Sequence, residues 1–322
     1  MGRRPPTRRG RSSDAHDVRF RAVSSVDGQP IGVTTRPSTK RRIASWLHAH
    51  PRTRLGLILA LPLGWLGVAY LGSLVVLFLN AFWTRDPFTS LVVRDFTLDN
   101  FIELLTTDVY RSVAVRTVVM AAIVTATCIV LAYPIAYYMA KVALPRVRGL
   151  LAVAVVMPLW ASYLIKAYSW RQILSEQGVL NWLLAPVGAH GPGYGDVAVW
   201  LVFTYLWLPY MILPIFAGLE RIPNSLLEAS SDLGGRGATT FRRVILPLSI
   251  PAVAAGSIFT FSLTLGDYIV PGLVSTTQFI GNVIFINVAQ DLPLAAAYSL
   301  LPLVIMLAYL VLMRRLGAFE AL

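Results

Sequence analysis

The chain is short of charge. Only 14% of its 322 residues are Asp, Glu, Lys or Arg, against about a quarter in a soluble domain. With 56% hydrophobic residues and a mean hydropathy of +0.64, that shortage excludes a water-soluble globular protein and implies an integral membrane protein. Cysteine occurs once, at Cys128, so there is no internal disulfide; in the middle of an apolar run it reads as a small apolar filler. The four histidines, His16, His48, His50 and His190, show no metal-ligand spacing. His48 and His50 are two apart and point to different sides of a helix, so no metal site is supported. Also missing are a Ser-His-Asp set and paired carboxylates, which argues against an enzyme. The glycine cluster from Gly188 to Gly195 lacks the Lys-Ser/Thr of a phosphate-binding loop and reads as turns. No nucleotide motif occurs elsewhere, so any nucleotide-derived energy must come from another polypeptide.

What is abundant is apolar sequence. Six runs, near 57–83, 112–140, 149–170, 197–219, 249–273 and 294–313, are long enough to cross about 30 Å of hydrocarbon as helices. Several contain proline, which membrane helices tolerate when neighbours satisfy the freed backbone groups. With the N-terminus inside, the inner segments carry twenty-two Lys and Arg, thirteen of them in residues 1–54, and the outer segments five. This bias places both termini and the loop around Glu228 on the cytoplasmic side. The net charge of +12 sits where topology and anionic lipid account for it, so nucleic acid is not an expected partner and the lipid bilayer is.

Residues 1–54 form a basic tail. Its first forty residues, rich in Arg, Ser, Pro and Gly, bury too little apolar surface to fold alone, and no apolar core follows within thirty residues to make a signal peptide. Ile43 to His50 is mildly amphipathic and suits a membrane surface. Residues 55–322 hold the spans. The longest outer loop, Thr84 to Arg111, suggests a short helix with Asn100 as N-cap and Glu103 at N3.

Between the fourth and fifth runs lies a polar, basic stretch over residues 220–248. Ser225 and Glu228 have the spacing of a capping box. The helix from Leu226 to Leu233 then meets Gly234-Gly235, suited to a left-handed C-terminal cap. A second short helix starts near Thr239 or Thr240, and Pro247 marks the junction with the fifth span. Local chemistry thus predicts a helical hairpin.

The same residues carry a family resemblance. Glu228-Ala229-Ser230, Gly234 after three residues, Val244 after nine more, then Leu246-Pro247, resembles the EAA loop of ATP-binding-cassette (ABC) importer permeases. Ser230 stands for the second Ala and Val244 for Ile. The resemblance implies an all-α membrane protein, type I ABC importer permease-like, with six transmembrane helices and a cytoplasmic coupling-helix hairpin. It implies a non-catalytic pore subunit of the plasma membrane that binds no cofactor itself, with ATP and Mg held by a partner ATPase. Implied partners are a second permease subunit, two cytoplasmic ABC ATPase subunits and an extracytoplasmic solute-binding protein. It makes Glu228, Ala229, Ser230, Gly234, Val244, Leu246 and Pro247 the ATPase-coupling residues.

For a solute path, ionisable groups inside spans are the default candidates because they are costly there. Asp267, about two-thirds through the fifth run, can meet a cationic solute, pair with Lys166 in the third run, or hydrogen-bond backbone at a helix break made by Gly266 and Pro271. Lys166 can also snorkel outward. Trp160, Tyr163, Tyr168 and Trp170 in the third run, and Tyr205, Trp207 and Tyr210 in the fourth, suit an interfacial belt; some could box an ammonium group. Asp267, Tyr268, Trp160 and Tyr163 are therefore the path candidates. Phe261 to Asn282 is similar to the corresponding region of spermidine/putrescine importer permeases, over a likeness running from about residue 55 onward, which implies a polyamine. Relatives that move sugars, iron, sulfate or phosphonates share the fold. An ion-gradient-driven transporter is the rival; it would need intramembrane relays, and the runs offer only Asp267 and Lys166.

Overall fold

A computed structural model describes residues 51–86 and 88–315, with no account of the side chains of residues 51–54 and 57. Most of the basic tail, including Ile43 to His50, lies outside the described residues. The chain divides into two units between Gly64 and Trp65. The described part of the first lies in α1 (Pro51–Trp65), whose first four residues belong to the expected tail.

The second unit holds the bundle. A π-helical turn over Leu66–Leu71 leads into α2 (Gly72–Asn80). A two-residue antiparallel pair follows, β1 (Thr84–Arg85) with β2 (Val92–Val93), then α3 (Asp99–Thr106). The chain continues through α4 (Asp108–Tyr137) with a terminal π turn (Tyr138–Val142), α5 (Pro145–Trp160), α6 (Tyr163–Leu174), the short α7 (Val179–Leu184) and α8 (Asp196–Glu220). Next are α9 (Asn224–Asp232), α10 (Gly237–Thr240), a π turn (Phe241–Ile245) and α11 (Leu246–Gly266). The last elements are α12 (Ile269–Val274), α13 (Ile280–Gln290) and α14 (Leu292–Arg314).

Five helical stretches are long and apolar enough to span a bilayer: Ile58–Asn80, Asp108–Val142, Asp196–Glu220, Gly237–Gly266 and Leu292–Arg314. The third expected span is not one rod. It is α5 and α6, bent by 89° at their junction, so the count is six when that pair is one broken span. Helix is the only open-chain way to satisfy backbone groups in hydrocarbon, and the break sits where other groups can replace the missing bonds.

The core lies where α4, α8 and α11 meet. Val124, Cys128, Phe203, Met211 and Ile215 are fully buried there. The facing side of α11 is small: Ala252, Ala254, Ala255, Ser257 and Thr260 are all buried. Small residues let membrane helices approach closely, which is where packing energy comes from when lipid is as apolar as leucine. A second cluster joins Val113 and Ala121 of α4 to Phe261, Ile280 and Tyr298, with Phe261 stacked on Tyr309 at 4.1 Å. Away from these seams apolar side chains are uncovered, Val130 at 70% and Val304 at 60%, as expected of surfaces facing hydrocarbon or another membrane subunit.

The outer-loop helix is capped differently from expectation. α3 begins at Asp99, and Asn100 is buried inside it. Its amide donates to the carbonyls of Ala81 and Trp83 at 3.0 and 2.8 Å. Those carbonyls have just left helix α2 and need donors, a demand stronger than the cap of a short surface helix.

Candidate functional site

Two regions hold the residues singled out above. The first is the hairpin of α9 and α10. α9 starts at Asn224 behind Pro223, with no side-chain cap. The expected Ser225–Glu228 box is therefore not formed: Pro223 holds the cap position, and Ser225 is already inside the helix, two positions past it. Glu228 and Ala229 are exposed. The turn follows expectation. Gly234 has φ +80°, a conformation open to glycine at little cost. The amide of Gly235 donates to the Ser230 carbonyl at 2.8 Å, closing the end of α9. The Ser230 hydroxyl also bonds that of Thr240 at 2.8 Å, joining the two short helices. Here the departure from the EAA pattern supplies a bond that alanine could not make.

Pro247 does not break the fifth span. Helix runs from Gly237 to Gly266, and the π turn over Phe241–Ile245 precedes the proline. A widened turn accommodates a residue without an N–H and relieves the clash of its ring with the preceding turn. Leu246 and Pro247 are exposed and Val244 is half-buried.

The chain leading into the hairpin is tied down. Lys141 Nζ donates to the Ile222 carbonyl, just ahead of α9, at 2.7 Å, and Arg148 pairs with Glu220, the last residue of α8, at 3.0 Å. Phe241 lies edge-on to Tyr133 and Tyr137, with ring centres 5.7 and 5.8 Å away. Tyr133 also bonds Ser249 at 2.8 Å. Pro223, Leu226, Leu248 and Pro251 border a groove of about 320 Å³ beside the hairpin. The ties were not expected from sequence. An aromatic within a polar loop, Phe241, was the one signal that could have found them.

The second region lies where two helices break. α11 stops at Gly266, so Asp267 is not inside a span but at the junction with α12. Its Oδ1 accepts the amides of Ile269 and Val270 at 2.9 and 3.0 Å, and the Tyr163 hydroxyl donates to Oδ2. Tyr163 is the first residue of α6, so one carboxylate joins both breaks. Lys166 is not its partner. Lys166 Nζ donates to the Pro158 carbonyl at 3.2 Å, near the end of α5, where orphan carbonyls favour a cation.

Around this pair Tyr163 stacks on Trp207 at 6.0 Å, and Trp207 on Phe203 at 6.2 Å. Tyr268 stacks on Phe285 at 4.5 Å. Asn282 donates to the Tyr268 carbonyl at 2.8 Å. Gly281 packs so closely that a Cβ there would sit 2.7 Å from the Asp267 carbonyl oxygen. Of the four path candidates, Tyr163, Asp267 and Tyr268 are brought together at the break. Trp160 is 86% exposed at the end of α5. No group of three or more His, Cys, Asp or Glu that could hold a metal occurs among the described residues.

Residues 132–319 match the family described as binding-protein-dependent transport system inner membrane component. The inner membrane ABC transporter permease protein YdcU of Escherichia coli (strain K12) is 43% identical over 299 residues, covering 87% of this chain and 95% of that protein. The spermidine/putrescine transport system permease protein PotB of the same organism is 36% identical over 259 residues, covering 76% and 90%. Among solved structures, a bacterial alginate ABC transporter in complex with an alginate pentasaccharide-bound periplasmic protein has a chain superposing with a TM-score of 0.66. It covers 85% of this chain and 98% of that one at 17% identity, a likeness of fold. A second, of a bacterial ABC transporter importing alginate, gives 0.63 at 18% identity. The chain belongs to the binding-protein-dependent inner membrane components: it is an ABC importer permease, a multi-pass inner membrane protein and a non-catalytic pore subunit.

Proposed function

We propose that the chain forms half of a pore that imports a polyamine such as spermidine or putrescine, with residues 55–322 as the permease domain. A second permease subunit completes the pore. Two cytoplasmic ABC ATPase subunits, which carry the ATP and Mg, grip the coupling loops, and an extracytoplasmic solute-binding protein delivers the solute. Both termini and residues 220–248 face the cytoplasm, in line with the distribution of Lys and Arg. The observation that carries the reading is the hairpin, which presents Glu228 and Ala229 outward while Phe241, directly after α10, packs on Tyr133 and Tyr137 of α4.

In this scheme closure of the ATPase pair pushes the hairpin as a rigid unit and rocks the spans between inward- and outward-facing states; hydrolysis resets them. Glu228 meets a basic residue of the ATPase and Gly234 permits close approach. Ala229, Ser230, Val244, Leu246 and Pro247 complete the coupling surface. Asp267, Tyr163, Tyr268 and Trp160 lie along the solute path, with Asp267 offering an anion and the rings offering faces to an ammonium group. The polyamine reading is supported by PotB, a relative named for spermidine and putrescine. The higher identity to YdcU, whose name specifies no solute, supports the permease role and is neutral between a polyamine and another solute.

The test is ATPase activity of the reconstituted transporter, with and without spermidine, for wild type and Glu228→Ala. Stimulation by spermidine that the variant loses, with assembly intact, supports coupling and substrate together. Stimulation only by another solute removes the polyamine, and failure of any ATPase to associate removes the machine.

A further inference from the structure

We infer that Phe241 is the positioning residue through which the hairpin moves the helix break at Asp267, with α4 as the connecting rod. This rests on the proposed docking of an ATPase at the hairpin. Three observations along one line support it.

The first is the seat of Phe241. Its ring meets Tyr133 at 87° and Tyr137 at 85°, both edge-to-face contacts of the favourable kind. The two tyrosines are four residues apart, one helical turn, so the ring is held between them and resists sliding along the helix. Pro134 lies inside α4 between these contacts. Proline removes the backbone bond to the Val130 carbonyl and weakens the turn ahead of it, and Tyr133, at the end of that turn, is one of the two residues that Phe241 contacts. Tyr133 is bonded in addition to Ser249 of α11, so the same ring is held from both helices.

The second is the π turn that carries Phe241. Single π turns insert one extra residue into a helix and often mark functional positions. Here the turn follows α10 without a loop, so displacement of the hairpin reaches the Phe241 ring without being absorbed by slack chain.

The third is the far end of α4. From Tyr137 to Thr117 is about 30 Å of helix at 1.5 Å per residue. There the buried Thr117 hydroxyl accepts the amide of Ile280 at 3.0 Å. The next residue, Gly281, is the one packed against the Asp267 carbonyl. Hairpin, Phe241, α4, Ile280 and the break are therefore in contact in series, each link a short-range contact between groups the structure holds in place.

Spatial continuity proposes coupling, and perturbing it tests it. The complete transporter is assembled with a reporter cysteine, Phe285→Cys, in a Cys128→Ser background; Phe285 is 59% exposed beside the break. Maleimide labelling rate is measured with and without ATP and vanadate, so no solute is needed. With Phe241 present, nucleotide trapping changes the rate about fivefold or more, the scale of a typical coupling energy. Phe241→Ala retains ATPase association and basal hydrolysis but brings the ratio to about 1, and Phe241→Tyr restores it. A wild-type ratio in Phe241→Ala overturns the inference. If that variant does not assemble, Phe241→Leu keeps the apolar bulk and decides: a full ratio counts against the inference, a reduced one for it. If Glu228→Ala also leaves association and the ratio unchanged, the docking reading fails instead.

Discussion

Replacing Asp267 separates two roles that its geometry combines. As a cap, its Oδ1 holds the first two free amides of α12; loss of such a cap costs about 1 kcal/mol. Its other oxygen receives the Tyr163 hydroxyl, and a hydrogen bond to a charged group contributes about 1.5–3 kcal/mol. Asp267→Ala removes both and leaves the half-buried Tyr163 hydroxyl without its acceptor, so a total near 3 kcal/mol is expected. At about 2 °C per kcal/mol, the low end for domains of about 150–250 residues and suited to a longer chain, that is a fall in Tm on the order of 5 °C in detergent. Asp267→Asn retains an acceptor for the amides and an amide to meet the hydroxyl, so it should lose about 1 kcal/mol. Measured together, thermal unfolding and spermidine uptake divide the roles. If the charge meets a polycation, Asp267→Asn keeps most of its stability and loses uptake through a raised KM. If the residue only caps, Asn transports as wild type. An Asp267→Ala protein as stable as wild type would refute the geometry itself.

Gly281→Ala places a methyl 2.7 Å from the Asp267 carbonyl oxygen and 2.8 Å from its carbon; backbone must shift, at about 1–3 kcal/mol, and thermal unfolding should show the loss while Gly237→Ala, with open space at its Cβ, shows little. At the outer loop, Asp86 accepts the amides of Phe88 and Thr89 at 2.7 and 3.0 Å. Chiefly the Thr89 and then the Phe88 bond hold its carboxyl below the ordinary carboxylate value. A depressed folded value stabilises the turn above the unfolded value and loses that stability as pH falls through the folded one. Amide exchange at Phe88 and Thr89, corrected for intrinsic rates, should therefore quicken in acid, and Asp86→Asn should blunt the change.

How much was legible in the sequence depends on how local the cause was. The hairpin was readable because a run of polar residues, a Gly-Gly turn and a fixed spacing specify it within about twenty residues, and the Gly234 turn and the Gly235–Ser230 bond follow. The spans were readable because apolar length is a property of one segment. The caps were misassigned where a distant group competed: Asn100 went to carbonyls about twenty residues earlier. Pro247 stayed within helix because a π turn ahead of it met its steric demand.

By itself, then, the sequence determined a membrane protein of helical spans with a helical hairpin between two of them, because hydrocarbon leaves helix as the only open-chain solution. Only the tertiary structure decided that the third span bends by 89°, that Asp267 takes Tyr163 rather than Lys166, and that Phe241 is seated between two tyrosines of α4. Apolar composition is indifferent to where a helix breaks, since the cost of a break is set by which side chains arrive from elsewhere to satisfy its freed backbone groups. Tyr163 and Asp267 are 104 positions apart, and only packing brings them to one junction.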